Sequence, residues 1–457
     1  MISSSFRDPS GFVFEYQGGI YRQINEVYRQ DYEMLMASGL YDSLVAEGIL
    51  IAHSDTPEIP ACEPERVFKV IKPQRVPFIS YPYEWCFSEL KDAALLTLEI
   101  QKKALEKGMV LKDASAYNIQ FINCAPVMID TLSFTKYNEG EPWAGYGQFC
   151  RHFLAPLSLM ALKDAGLNRL FTDHIDGIPL GLASKLLPFS SRFNPGLLIH
   201  IHSHAKAEEK HSSQFKETAV KISKFSLLGI IDMLESAVKS LKWKPKGTQW
   251  ADYYDRTNYS DESLKEKAAL VRKYSAELCP ERGVIWDLGA NTGLFSREAS
   301  AKAQLVLSFD IDPAAVDINY LKEKEDKGGK ILPLILDLTN PSPCIGWANA
   351  ERREIRERGR PDLLLALALI HHIVIGNNTP FSRVAEYFSS LGGNLILEFV
   401  PREDTQAQKL LFGRKNMFAD YTPDNLKNVF LKYYDITAEQ PVKGTCRTLL
   451  VMKRKAG

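Results

Sequence analysis

The period of the hydrophobic positions changes along the chain, and the change divides it. In the second half, short unbroken apolar runs alternate with longer stretches of helical spacing. The runs are Val284 to Asp287, Leu305 to Asp310, Ile331 to Leu336, Asp362 to Leu367 and Asn394 to Phe399. Each has strand length and is mostly apolar, as strands buried on both faces are. Tyr434 to Ala438 and Arg447 to Lys453 predict a closing hairpin. Strands that alternate with helices predict an α/β fold, a Rossmann-like doubly wound sheet.

The first half is patterned differently. Phe12 to Tyr21 predicts a hairpin about a Gly-Gly turn, Asn25 to Ser38 a helix, and Val67 to Lys72 an alternating strand. Phe87 to Gly108 predicts a long helix with Leu90, Ala94, Leu98 and Leu105 on one side. This is an α+β region without the regular alternation that follows it. Between the halves, Phe215 to Leu241 and Ser260 to Leu278 have helical spacing, and the aromatic stretch around Trp250, Tyr253, Tyr254 and Tyr259 predicts either a lid or a buried connection. The expected divisions are 1–204, a helical connector over 205–280, and 281–457.

The turns after the second-half strands carry the chemistry. The first reads Asp287-Leu-Gly289-Ala-Asn291-Thr-Gly293 and opens a helix. Gly289 permits a turn where a Cβ would clash, and Gly293 a close approach at the helix start. The second run ends in Asp310, placed where nucleotide-type folds hold ribose hydroxyls. Asp312 before Pro313 predicts a helix N-cap instead. The third run is followed by Asp337.

These turns, in this order, resemble the motifs of class I S-adenosylmethionine (SAM) dependent methyltransferases. The resemblance implies a seven-stranded sheet with its last strand antiparallel, and SAM as cofactor. It implies cofactor contacts from Asp287, Gly289, Asn291, Gly293, Asp310, Ile311, Asp337, Leu338 and Ala366, with Asp337 toward the adenine. The phrases Asp287 to Gly293, Phe309 to Pro313, Leu365 to His372 and Leu397 to Pro401 also resemble a bacterial group that includes rhizobial nodulation host-specificity proteins.

In the first half, Asp113, Asn118 and Asp130 resemble the active-site core of kinase-like phosphotransferases, where an Asp precedes an Asn by five residues and a later Asp holds magnesium. Leu111 stands where that family has His, Thr131-Leu132 follows Asp130 in place of Phe-Gly, and a Gly-rich loop is lacking. Lys69 or Lys72 would be the phosphate-pairing lysine. The resemblance implies a kinase-like ancestry with lost activity.

The methyl acceptor is the least legible part. The loop after the fourth run, read as Ala366 to Asn378, lacks the Asp/Asn-Pro-Pro-aromatic motif for amino nitrogens and a Pro-Cys nucleophile. Its His371-His372 pair is the candidate base, with His372 favoured to face the pocket and Glu398 placed to orient an acceptor. In the plainer reading both histidines pack or bond backbone. A metal set of His371, His372 and Glu398 lacks the further ligands such a site needs, so no metal is expected.

Composition changes little. With 56 basic and 56 acidic residues the chain carries no global signature of nucleic-acid or membrane binding. Seven scattered cysteines and an N-terminus without an apolar segment predict a reduced, cytoplasmic protein. The expected function is transfer of a methyl group to an oxygen or nitrogen of a small metabolite, glycan or protein. The alternative is a non-catalytic SAM-binding or scaffold protein acting through its first half.

Overall fold

The computed structural model describes residues 2, 4–211, 221–245, 260–326, 328–414 and 417–455. The chain forms two compact units, one of residues 1–244 with 344–353, the other of 245–343 with 354–457. The aromatic stretch from Trp250 to Tyr259 lies outside the described residues.

The first unit begins with four antiparallel strands, β1 (Gly11–Tyr16), β2 (Gly19–Asn25), β3 (His53–Asp55) and β4 (Val67–Pro73), in the order β1-β2-β4-β3. The expected first hairpin forms, but its turn lies one residue early. Tyr16 pairs with Gly19, so Gln17 and Gly18 make the two-residue loop, with φ +47 and +76. Two positive φ values are what a type I′ turn requires. The helix Phe87–Glu106 buries Leu90, Ala94, Leu98 and Leu105, and Gly108 ends it at φ +75. Then come β5 (Met109–Leu111), paired with β8 (Phe134–Lys136), and the hairpin β6 (Ile119–Ile122) with β7 (Ala125–Met128). The helix Lys224–Ser240 belongs to this unit.

The second unit opens with the helix Asp261–Leu278 and holds one sheet of β9 (Val284–Leu288), β10 (Leu305–Asp310), β11 (Ile331–Ile335), β12 (Leu363–Ala366), β13 (Asn394–Phe399), β14 (Tyr434–Pro441) and β15 (Thr448–Arg454). The order is β11-β10-β9-β12-β13-β15-β14. β9 to β13 run parallel, while β15 is antiparallel to both β13 and β14. The seven strands and the reversed last strand are those expected. Ile285, Val306, Leu363, Leu365, Ile396 and Val451 line one core with Val271 of the opening helix. Burial on both faces explains the unbroken apolar runs. The long apolar run from Leu363 to Ile375 is β12 followed by a π-helical turn, His372–Gly376. Among the described residues no helix is long and apolar enough to cross a membrane.

Candidate functional site

The order of the strands reverses at β9, where β10 lies on one side and β12 on the other. Open α/β sheets bind ligands at the carboxyl ends of such strands. Gly289 turns the chain there at φ +77. Its amide and that of Ala290 both donate to the Phe309 carbonyl, at 2.9 and 2.8 Å, tying the loop to β10. Asn291 follows at φ +52, a left-handed position that Asn tolerates better than most residues. Asp310 Oδ2 accepts the Asn291 amide at 2.7 Å, and Oδ1 accepts the Asp312 amide at 2.9 Å. Burial pushes the Asp310 carboxyl up to about 6 against these two backbone donors. The Ile311 amide adds to their effect. Beside it Ile311 is 52% exposed, an apolar side chain presented at the strand end. Asp312 caps the next helix through the Ala314 amide at 2.9 Å, as its place before Pro313 predicts.

Two of the expected contacts have other partners. Gly293 has φ +76, and a Cβ there would lie 2.2 Å from Asn319 Oδ1, so its close approach is to a side chain of the protein. Asp287 is 1% exposed, and its Oδ2 accepts the Ser296 hydroxyl at 2.6 Å. It ends a chain of donors. Asn319 Nδ2 donates to Ser308 Oγ at 2.8 Å, Ser308 to Ser296 at 2.9 Å, and Ser296 to Asp287. Arg297 donates to Asn319 Oδ1 at 2.8 Å and pairs with Glu323 at 2.9 Å. This relay knits the loop helix to its neighbour and was missed in sequence. The one available signal was Ser308, a polar residue inside an otherwise apolar strand. Burial, opposed by the Ser296 hydrogen bond, pushes the Asp287 carboxyl up to about 7.

Further along the edge, Asp337 is half-buried, and its Oδ1 accepts the Thr339 amide and hydroxyl at 2.9 and 2.6 Å. Leu338 is half-buried beside it. Ala366 ends β12 and is buried, and Ala368 just beyond has φ +50. A left-handed alanine stores about 1 kcal/mol of strain.

His371 is buried, and its Nδ1 has no hydrogen-bond partner among the described residues. The His372 ring lies 4.0 Å from it, centroid to centroid. Burial, with help from the Arg447 charge, lowers His372 to about 4, and His371 is held well below its ordinary value for the same first reason. The expected near-neutral base is therefore a weak one, uncharged at pH 7.

Glu398 is not free to orient an acceptor. Fully buried, it takes Lys267 Nζ at 2.6 Å and stands 3.8 Å from Arg447 Nη1. Arg447 in turn pairs with Asp404 at 2.8 Å, and Lys267 lies 4.3 Å over the Phe295 ring. A strand-end carboxylate must be paired when water is excluded. Both cations come from elements far off in sequence, which is why spacing did not show them. Beside this network Glu403, Asp404, Thr405 and residues 444–447 line a cleft of about 280 Å³.

In the first unit Asp113, Asn118 and Asp130 are brought together. Asn118 hydrogen-bonds Asp113, and its Nδ2 donates to Ser133 Oγ at 3.1 Å, while Ser133 donates to Asp130 at 2.9 Å. Asp130 also takes Arg22 Nη1 of β2 at 2.5 Å. Burial raises the Asp113 carboxyl, with Asp130 adding to it. Burial acts upward on Asp130 too, but Arg22, the Leu132 amide and Ser133 outweigh it and leave that carboxyl low. Lys69 pairs instead with Asp55 at 2.8 Å. Residues 344–353, which belong to this unit, place Arg352 4.2 Å over the ring of Tyr117, within the Asp113–Asn118 loop. Glu351 holds the segment by accepting two bonds from Arg7, both 2.8 Å. Among the described residues there is no group of three or more His, Cys, Asp or Glu able to hold a metal.

No family model matches the chain. Among solved structures it is similar to magnesium protoporphyrin IX methyltransferase (ChlM) from Synechocystis PCC 6803 with bound SAH, at 18% identity, with 45% of this chain and 93% of that one covered and a TM-score of 0.31. It is also similar to the N-methyltransferase NodS from Bradyrhizobium japonicum WM9, at 8% identity, 43% and 99% coverage and a TM-score of 0.30. Nodulation protein NoeA of Rhizobium meliloti (strain 1021) is 33% identical over 461 aligned residues, which span 99% of this chain and 96% of that protein. With both sequences matched almost from end to end, the chain belongs to the family of nodulation protein NoeA.

Proposed function

We propose that the second unit is a SAM-dependent methyltransferase that acts on an oxygen or nitrogen of a small metabolite, glycan or protein. One observation carries this reading: the Gly289 turn, the Asp310 carboxylate and the exposed Ile311 stand together at the carboxyl edge of β9 and β10. The residues fit the cofactor. Asp310, held in place by backbone amides, would accept from vicinal hydroxyls, and Ile311 would offer an apolar face to a purine. Asp337 and Leu338, at the next strand end, would meet the base. SAM supplies an electrophilic methyl group on a sulfonium. The chain's part is to align an acceptor atom with it, exclude water and receive the proton that the acceptor loses. His372, uncharged at pH 7, is the side chain we assign to receive that proton. The strained Ala368 turn fixes where the histidine pair begins. Membership in the family of nodulation protein NoeA supports a role in nodulation.

Calorimetry of the full chain with S-adenosylhomocysteine tests the cofactor. Binding near −8 kcal/mol is expected, about micromolar. Asp310→Ala should weaken it by about 1–3 kcal/mol. No heat and no thermal shift would overturn the reading. His372→Gln should slow methyl transfer by roughly 10²-fold and leave S-adenosylhomocysteine affinity unchanged.

For the first unit we infer a kinase-like ancestry without metal-dependent transfer. The juxtaposed Asp113, Asn118 and Asp130 support the ancestry. Arg22 supports the loss, since its guanidinium pairs with the carboxylate a magnesium ion would need. Magnesium-ATP should give no binding heat with the full chain. Tight binding abolished by Asp130→Ala would refute this.

A further inference from the structure

The turn Phe189–Phe193 of the first unit carries its two aromatic residues outward. Of its two serines Ser191 is buried and Ser190 exposed, and both phenylalanines stand outside. Phe189 is 73% and Phe193 77% exposed, with ring centroids 5.7 Å apart. Leu186, at the end of the helix Leu180–Leu186, is 38% exposed, and Leu198 and Ile199, on the following π-helical segment, are 40% and 45% exposed. Large apolar side chains gathered in this way are rare on a surface without a partner.

The platform beneath them is built rigidly. His202 is 2% exposed and bonds on both sides, Nδ1 to Ser184 Oγ and Nε2 to Ser191 Oγ, each at 2.8 Å. Ser191 also donates to the Pro188 carbonyl at 2.6 Å. One buried imidazole thus ties together the helix, the turn and the segment that carry the exposed residues. Their outward direction is a property of the fold.

Within this stretch of sequence the charges have one sign. From Leu180 to His204 the sequence holds no acid, and its charged residues, Lys185 and Arg192, are both exposed. Arg192 lies 5.8 Å over the Phe189 ring. Glu209 faces Gly181, at the opposite end of the helix from Leu186.

We propose that this face is a peripheral membrane-binding surface, on which Phe189 and Phe193 enter the interface of a bilayer and Lys185 and Arg192 meet anionic headgroups. Aromatic and aliphatic tips flanked by cations are the composition that interfacial binding requires. A second copy of the chain is a poorer occupant, because self-pairing would bring four cations together with no acid from this stretch between them. The neutral balance of the whole chain concealed the face, because the asymmetry is local.

Sedimentation of the full chain with vesicles is the test, using phosphatidylcholine alone and phosphatidylcholine with about a third phosphatidylserine. The protein should sediment with the anionic vesicles and about tenfold less with the neutral ones. Joint Phe189→Ser and Phe193→Ser should lower binding by about tenfold or more. Both side chains are exposed, so the melting temperature should not move. Joint Lys185→Gln and Arg192→Gln should remove the preference for anionic lipid. The proposal is overturned if the wild type ignores anionic vesicles, or if the double serine variant binds them equally well. It is also overturned if the wild type is a dimer that the double serine variant dissolves, since the face would then be a self-interface.

Discussion

Replacing Asp287 by Asn should make the protein more stable, and only above acid pH. Asp287 is wholly buried at the end of β9, and burial raises its carboxyl to about 7 from an ordinary value of about 4. Three pKa units correspond to about 4 kcal/mol, a ceiling for this group. The sign follows from the direction. A carboxyl raised in the fold is favoured there when protonated. Its contribution is fully present below about pH 4 and is lost as pH climbs through about 7. Asn carries no charge at any of these pH values, and its amide oxygen can still accept the Ser296 hydroxyl. The two proteins should therefore unfold alike near about pH 4, and at about pH 8 the variant should be the more stable by up to about 4 kcal/mol. Urea midpoints of both proteins across this range supply the measurement. A difference that does not change with pH, or a variant less stable at high pH, would refute the reasoning. It would mean that Asp287 is ionised in the fold and held by a positive partner such as Lys267.

Gly293→Val should destabilise the second unit by about 2 kcal/mol or more and abolish S-adenosylhomocysteine binding, because it combines a left-handed φ with a collision at Asn319; thermal melts beside calorimetry would show both losses. Lys267→Met should cost about 3–5 kcal/mol by leaving Glu398 short of a cation, and adding Glu398→Gln should recover most of it in chemical denaturation. Glu351→Ala should cost about 1–2 kcal/mol, since exposed Arg7 is easily rehydrated while the Trp347 amide loses its acceptor; a guanidinium titration of the first unit's transition would report it.

The strands of the second unit were legible because burial on both faces forces continuous apolar runs, and their turns because left-handed positions select Gly and Asn. Gly289, Asn291, Asp310 and Asp312 stand where their neighbours in sequence predict. Local pattern carried less where a residue's partner is remote. Glu398 looked available because nothing near it in sequence says that Lys267 and Arg447 arrive from the first helix and the last hairpin. Asp287 looked like a ligand contact because Ser296 and Ser308 belong to other elements. The histidine pair was rightly placed after β12, but its weak basicity depends on burial, which adjacency cannot report. In the first half, Asp113 and Asn118 are brought together as their spacing predicts, whereas Arg22 reaches Asp130 by an ion pair from a strand far off in sequence, which no motif records.

Residues 344–353 complete the first unit, although they are encoded after β11 of the second. During synthesis the amino-terminal unit therefore lacks these ten residues when its own contiguous stretch has emerged. It must wait for roughly 110 more residues, about 10 s at ordinary translation speed. Through that interval Arg7 has no Glu351 and Tyr117 no Arg352, while β9, β10 and β11 are already outside the ribosome. A ribosome stalled between residues 244 and 344 would therefore release a first unit without these contacts.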